Sequence, residues 1–224
     1  MSSLATGSHA CKCPKTRHEP KLVVLTGGPG GGKTAILEMG RRYFCRHVVL
    51  LPESASIIFG GGFPRMDTPE AVRAAQRSIF TVQRELERVA LDFKPAVVLC
   101  DRGSLDGLAY WPGTRRNFCE QFGIRIEEEL ARYAAVIHVE VPASASGYEK
   151  NRLRRESVVQ ARSLDRRIAR AWSAHPRQIL VSAQAGFLDK LAYAIELIGG
   201  ELPQCCATHL HGLGGDGSGA PAKS

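Results

Sequence analysis

Short apolar runs punctuate the middle of this sequence: Leu22 to Thr26, Val48 to Leu51, Ala96 to Cys100, Ala135 to Val141 and Gln178 to Ser182. They are rich in Val, Ile and Leu and lack the polar alternation of a half-exposed strand, which is how strands buried on both faces read. Helical spacings fill the intervals. The pattern therefore predicts an α/β chain, with a five-stranded parallel sheet flanked by helices in three layers.

The best-defined helix follows the second run. Thr68 can cap it and Pro69 suits its first turn. Val72, Ala75, Ile79, Val82, Leu86, Val89 and Phe93 then recur at spacings of three and four, which predicts one buried stripe. Arg73, Arg77, Arg84, Glu87 and Arg88 are assigned to the wet face. The pattern stops at Lys94-Pro95, ahead of the third strand. Leu164, Ile168 and Trp172 predict a second amphipathic helix, and Phe187 to Ile198 a last one that closes at Gly199-Gly200.

Outside residues 21–200 this order fades. Residues 1–20 are Ser, Lys, His and Pro without periodicity, and residues 201–224 end in a glycine-rich stretch, so both ends are read as flexible tails around one domain. With 44% hydrophobic and 23% charged residues in a chain of 224, one globular domain with a real core is expected. No apolar run is long enough to span a bilayer, and the first twenty residues lack the apolar centre of a secretory signal. The expected location is cytoplasmic.

Seven cysteines are an odd number; Cys45 and Cys100 fall in or beside core elements and read as reduced thiols. Cys11, Cys13 and His18 near one end, with Cys205, Cys206, His209 and His211 near the other, could together offer metal ligands. Neither group has a zinc-finger spacing, so both are read as parts of solvated tails. The net charge of +8 is concentrated between Lys150 and Arg170, where eight basic residues meet two acids. Such a stretch suits phosphates of a nucleotide or an anionic lipid surface. No nucleic-acid partner is expected.

Residues 27–34, Gly27-Gly28-Pro29-Gly30-Gly31-Gly32-Lys33-Thr34, form a G-x-x-x-x-G-K-T phosphate loop between a strand and a helix candidate. Glycines let the backbone amides converge on phosphate oxygens, Lys33 reaches the β and γ phosphates, and Thr34 offers its hydroxyl to Mg²⁺. Gly30, Gly32 and Ala35 also fit a loose dinucleotide pattern with Glu53 as the ribose acid, but that reading leaves Lys33-Thr34 unexplained. ATP is the expected ligand, with GTP as the alternative.

Asp101 ends an apolar strand and is placed to hold magnesium. Arg102 follows it where a water-activating second acid would stand, and no N-K-x-D element for guanine occurs in the chain. That combination favours transfer of a phosphoryl group to a bound acceptor, with Arg102 neutralising its charge. Glu53, at the end of the second strand, is the candidate base, with Asp106 as a second choice. Phe63 and Arg65 of a glycine-rich loop, together with Trp111, are candidate acceptor contacts. Arg152 and Arg155 belong to an arginine-rich helical lid over roughly residues 143–173, where they would close on the triphosphate.

The segments Leu22 to Thr34, Pro52-Glu53-Ser54, Phe63-Pro64-Arg65, Cys100 to Trp111 and Ala171-Trp172-Ser173-Ala174-His175-Pro176 resemble the P-loop AAA-domain family that groups the NadR kinase domain with the TRPL translocation defect proteins. The resemblance implies a nucleoside-kinase-like fold in which Lys33, Thr34 and Asp101 carry nucleotide and magnesium. It leaves the acceptor open, because NadR phosphorylates nicotinamide riboside whereas the translocation defect proteins are described as binding GTP and phosphoinositides. Two readings follow: a small-molecule kinase, and a nucleotide-binding regulator whose basic lid meets a polyanion.

Overall fold

The computed structural model describes residues 4–142, 158–184 and 186–207. Five parallel strands, β1 (Lys21–Thr26), β2 (Val48–Leu51), β3 (Val97–Asp101), β4 (Tyr133–Val139) and β5 (Gln178–Val181), lie in the order β2-β3-β1-β4-β5. The helices are α1 (Lys33–Tyr43), α2 (Ser54–Gly60), α3 (Pro69–Asp92), α4 (Arg115–Phe122), α5 (Ile126–Ala131), α6 (Val158–Trp172), α7 (Phe187–Gly199) and α8 (Gln204–Ala207), with a 3-10 turn at Ser104–Ala109. The expected five strands are all present, within two residues at each end. Their side chains alternate between two cores. Val23, Leu25 and Leu99 pack towards α1 and α7, whereas Leu22, Val24 and Val98 pack towards α6 and the 3-10 turn. Among the described residues no helix is long and apolar enough to cross a membrane.

The strand order puts β1 in the middle, with Leu25 beside Asp101 of β3 and Thr26 beside His138 of β4. All strands run the same way, so the turns that leave β1, β2 and β3 gather along one edge of the sheet.

Two expectations are corrected. In α3 the cap is as expected, Thr68 accepting the Ala71 amide at 3.3 Å, but the apolar stripe is only partly buried: Ala75 is buried and Val72, Ile79, Val82 and Leu86 are half-buried. Val89 and Phe93 are 43% and 64% exposed, while Gln76, Gln83 and Glu87 are buried. The reason is hydrogen bonding: Ser54 donates to Gln83 (2.7 Å), Gln83 to Glu87 (2.8 Å) and Tyr133 to Glu87 (2.9 Å), and Arg132 pairs with the same carboxylate. Polar groups satisfied in this way can be buried, and hydrophobic periodicity cannot register partners that come from other elements.

The N-terminal stretch is likewise no free tail from Leu4 onwards. The Leu50 amide donates to the Ala5 carbonyl (2.9 Å), the Gly7 amide to Val48 (3.0 Å) and the His9 amide to Phe44 (2.9 Å). The stretch thus occupies the open side of β2, an edge strand whose backbone groups need partners. At the other end Glu201, Leu202 and Cys206 are buried, so ordered packing continues past residue 200. Residues 208–224 lie outside the described residues.

Candidate functional site

From Thr26 the chain turns through Gly27, Gly30 and Gly32, with φ of 129°, 87° and 102°. A Cβ on Gly27 would stand 2.2 Å from the Val139 carbonyl oxygen. The loop is thus pressed onto the end of β4, where only glycine fits. α1 then begins at Lys33 without a capping side chain and without an acid in its first turn. Its leading amides and positive dipole end are left for an anion. Thr34 is exposed at that end and Pro29 is half-buried. Lys33 is buried, its ammonium donating to the carbonyls of Gly27 (2.8 Å) and Gly28 (2.9 Å). Burial, followed by repulsion from Arg102, lowers its pKa to about 8.

Two clamps on this loop escaped the sequence reading. Asp165 of α6 accepts the Gly28 amide (2.6 Å), the Val141 amide (3.3 Å) and a contact from His138 Nε2 (2.9 Å). Burial pushes its carboxyl up, but His138 and the two amides outweigh that and hold it below the ordinary range. From α7, Lys190 donates to the carbonyls of Gly31 (3.2 Å) and Glu140 (2.8 Å). A signal existed for both. Asp165 falls among Ala161, Ile168 and Trp172 at helical spacing, and Lys190 precedes Ala194 by four, so each is a charge set within an apolar face.

At the end of β3 the chain does something unusual. Arg102 has φ of 75°, a left-handed conformation that costs a non-glycine residue roughly 1 kcal/mol. It turns the guanidinium back over the end of β1, where Nε donates to Glu53 Oε1 (2.6 Å) and Nη1 to the Gly27 carbonyl (3.1 Å). Its own amide donates to Leu25 (3.0 Å). These bonds outweigh the strain. One arginine therefore ties the carboxylate beyond β2 to the first glycine of the phosphate loop. The Glu53 carboxyl is pushed up by burial, but Arg102 and the Ser56 hydroxyl (2.6 Å) prevail and hold it below its ordinary value.

Asp101, Arg102, Glu53 and Lys33 are thus brought together, as the sequence suggested. Asp106 is nearby but is committed to structure: Oδ1 is bonded to the Thr26 hydroxyl and Oδ2 accepts the Gly103 amide (2.7 Å). Its place as the second choice of base, at an acceptor hydroxyl, is withdrawn. Trp111 is also corrected, since it is 3% exposed, with its indole N–H on Asn117 (3.1 Å) and its ring against Phe118. Phe63 and Arg65 collect around Phe59, with Arg65 5.0 Å from that ring's centre. They follow α2, about 10 Å of helix beyond Glu53. Arg152 and Arg155 lie outside the described residues. The Asp101-Arg102-Gly103 turn and the Ala171 to Pro176 segment turn out to be packing partners, because a Cβ on Gly103 would stand 2.7 Å from the Trp172 ring.

Burial pushes the Asp101 carboxyl up to about 6, against the pull of Lys33 and Arg102. Unfolded, it titrates near 3.8. Between about pH 4 and 6 the folded protein therefore holds a proton that the unfolded chain has released, and stability falls as pH rises through that window. Asp101→Asn removes this cost of about 3 kcal/mol at neutral pH. The variant should melt several degrees higher than the parent at about pH 7.5 and no higher near pH 4. Equal melting temperatures at both values would show that the carboxylate is not desolvated.

The chain shares its fold with deoxyadenosine kinase from M. mycoides, at a TM-score of 0.54 and 11% identity over 80% of this chain and 99% of that one. Thymidylate kinase from Ehrlichia chaffeensis aligns with a TM-score of 0.49 and 15% identity, over 80% of this chain and 98% of that one. No curated protein matches the sequence significantly. The sequence profile described as an AAA domain matches residues 22–190, from the first residues of β1 to the Lys190 clamp. The chain belongs to this AAA-domain family of P-loop proteins, with the fold of a nucleoside or nucleotide kinase.

Proposed function

We propose that the protein is an ATP- and magnesium-dependent phosphotransferase acting on a hydroxyl of a small molecule. The observation that carries this reading is the Glu53–Arg102–Gly27 connection, which joins a carboxylate at the end of β2 to the phosphate loop through one guanidinium. A protein that only binds a triphosphate has no use for a carboxylate held at that point. A kinase does, because its acceptor hydroxyl must be held in line with the terminal phosphate.

In this reading the loop amides of residues 30–34 and the start of α1 hold the β and γ phosphates, with Lys33 turned from its own loop carbonyls onto them. The Thr34 hydroxyl and the Asp101 carboxylate are both oxygen donors and suit magnesium, which would neutralise the buried acid and draw charge from the phosphates. Glu53 accepts the hydrogen bond of the acceptor hydroxyl. As that oxygen bonds to the γ-phosphorus and the bond to the β–γ bridging oxygen breaks, the hydroxyl proton passes to Glu53 and ADP leaves. A carboxylate held below its ordinary pKa is a weak base, which suffices in a loose transition state where the hydroxyl becomes acidic late. Arg102 meets the charge on the moving group.

The fold shared with deoxyadenosine kinase makes nucleosides the first acceptor class to try. Acceptor-dependent ADP release across a panel of nucleosides and other hydroxylated metabolites tests the proposal. A hit that is lost without magnesium is the expected result. No turnover with any acceptor, together with salt-sensitive binding to anionic vesicles, would replace it with the regulatory reading.

A further inference from the structure

At the amino end of β2, across the sheet from the phosphate loop, the fold assembles a cluster of thiols and imidazoles. Cys11, Cys13 and His18 arrive with the N-terminal stretch, Cys45 and His47 sit in the turn between α1 and β2, and Cys206 comes from α8. Two overlapping quartets each have all four donor atoms within 4.8 Å of one another, and both contain His47 and Cys206. Cys13, Cys45, His47 and Cys206 are at most 5% exposed.

The spacing of these donors is informative. With metal–sulfur bonds of about 2.3 Å and metal–nitrogen bonds of about 2.0–2.1 Å, the edges of a tetrahedral site are about 3.3–3.8 Å long. Three of the six edges of the quartet Cys13, His18, His47 and Cys206 fall in this range, 3.3 Å for His47 Nδ1 to Cys206 Sγ, 3.6 Å for His18 Nε2 to Cys206 Sγ and 3.7 Å for Cys13 Sγ to His18 Nε2, and the other three are within 4.8 Å. Weak S–H···N hydrogen bonds would explain one such pair but give no reason for four groups to converge from three separate segments. Disulfide bonding does not explain the cluster either, since all seven cysteines are free.

We propose that Cys13, His18, His47 and Cys206 bind one structural zinc ion. Thiolate and imidazole donors in a closed tetrahedral set, without a carboxylate, suit zinc rather than magnesium or calcium. Cys11 and Cys45 flank the ion without ligating it. The ion closes the N-terminal stretch and α8 onto β2, joining His18 to a residue 188 positions away in the sequence. A cross-link of that span restricts the unfolded chain strongly, and zinc binding becomes part of the folding free energy. The site works independently of the reaction proposed above.

The test uses untagged full-length protein grown with added zinc and purified under reducing conditions. Elemental mass spectrometry should find one zinc per chain, and a strong chelator should lower the melting temperature by on the order of 10 °C. The cobalt-exchanged protein should show tetrahedral ligand-field bands with a thiolate-to-cobalt charge-transfer band, a result that needs no variant. Cys206→Ser and His47→Ala should each lose the metal, whereas Cys45→Ser should keep it. Folded wild-type protein with far less than one zinc, no charge-transfer band, or an intact mass showing disulfides would overturn the proposal. Metal lost in Cys45→Ser but kept in Cys13→Ser would overturn this choice of ligands in favour of the other quartet.

Discussion

Lys33→Ala should abolish measurable triphosphate binding in titration calorimetry. The ammonium is buried, bonded among the described residues to the carbonyls of Gly27 and Gly28, and brought down to about 8 by desolvation and by Arg102. A cation held there at a cost is stabilised by the arrival of a polyphosphate, so its interaction with the β and γ oxygens is strong. Removing one partner of a buried charge-assisted contact costs about 2–4 kcal/mol, or about 30- to 10³-fold in affinity. The fold should survive, because alanine relieves a desolvated charge; the melting temperature of the free variant should therefore not fall. An affinity equal to that of the parent would refute the phosphate-loop assignment.

Glu53→Gln is expected to leave ATP affinity nearly intact and to lower turnover of an identified acceptor by about 10²-fold or more. The two effects separate because the Glu53 carboxylate bonds to Arg102 and the Ser56 hydroxyl, and it is Arg102 that bonds to the phosphate loop. Glutamine keeps the shape and can still accept a hydrogen bond from the guanidinium, but it cannot take the proton of the attacking hydroxyl. If Arg102 rather than Glu53 governed the step, turnover would persist in Glu53→Gln and fall in Arg102→Met. Retained turnover would remove Glu53 from the role given to it.

Much of this site could be read from the chain because its parts are local. The glycine loop, the apolar run ending in Asp101 and the Pro52-Glu53-Ser54 step are each contiguous, and a parallel sheet places the ends of its strands together without further instruction. What could not be read depends on partners distant in sequence. Asp106 and Trp111 looked available for an acceptor, but Thr26, Gly103 and Asn117 take up their polar atoms. Asp165 and Lys190 gave no motif, yet they hold the phosphate loop from both sides. The α3 helix shows the same limit: Gln83 and Glu87 are buried because Ser54, Arg132 and Tyr133 reach them.

The sequence by itself determined the class of fold, the five buried strands and the phosphate loop, since runs of branched apolar residues and converging glycines carry their physics within a few neighbours. The tertiary structure alone decided which charges could be buried, that Arg102 turns back to join Glu53 to Gly27, and that the N-terminal stretch completes the edge of β2. It also brought Cys13 and His18 to His47 and Cys206. Each of these rests on hydrogen-bond, charge or donor complementarity between residues far apart in the chain, and that information exists only once the backbone has brought them into contact.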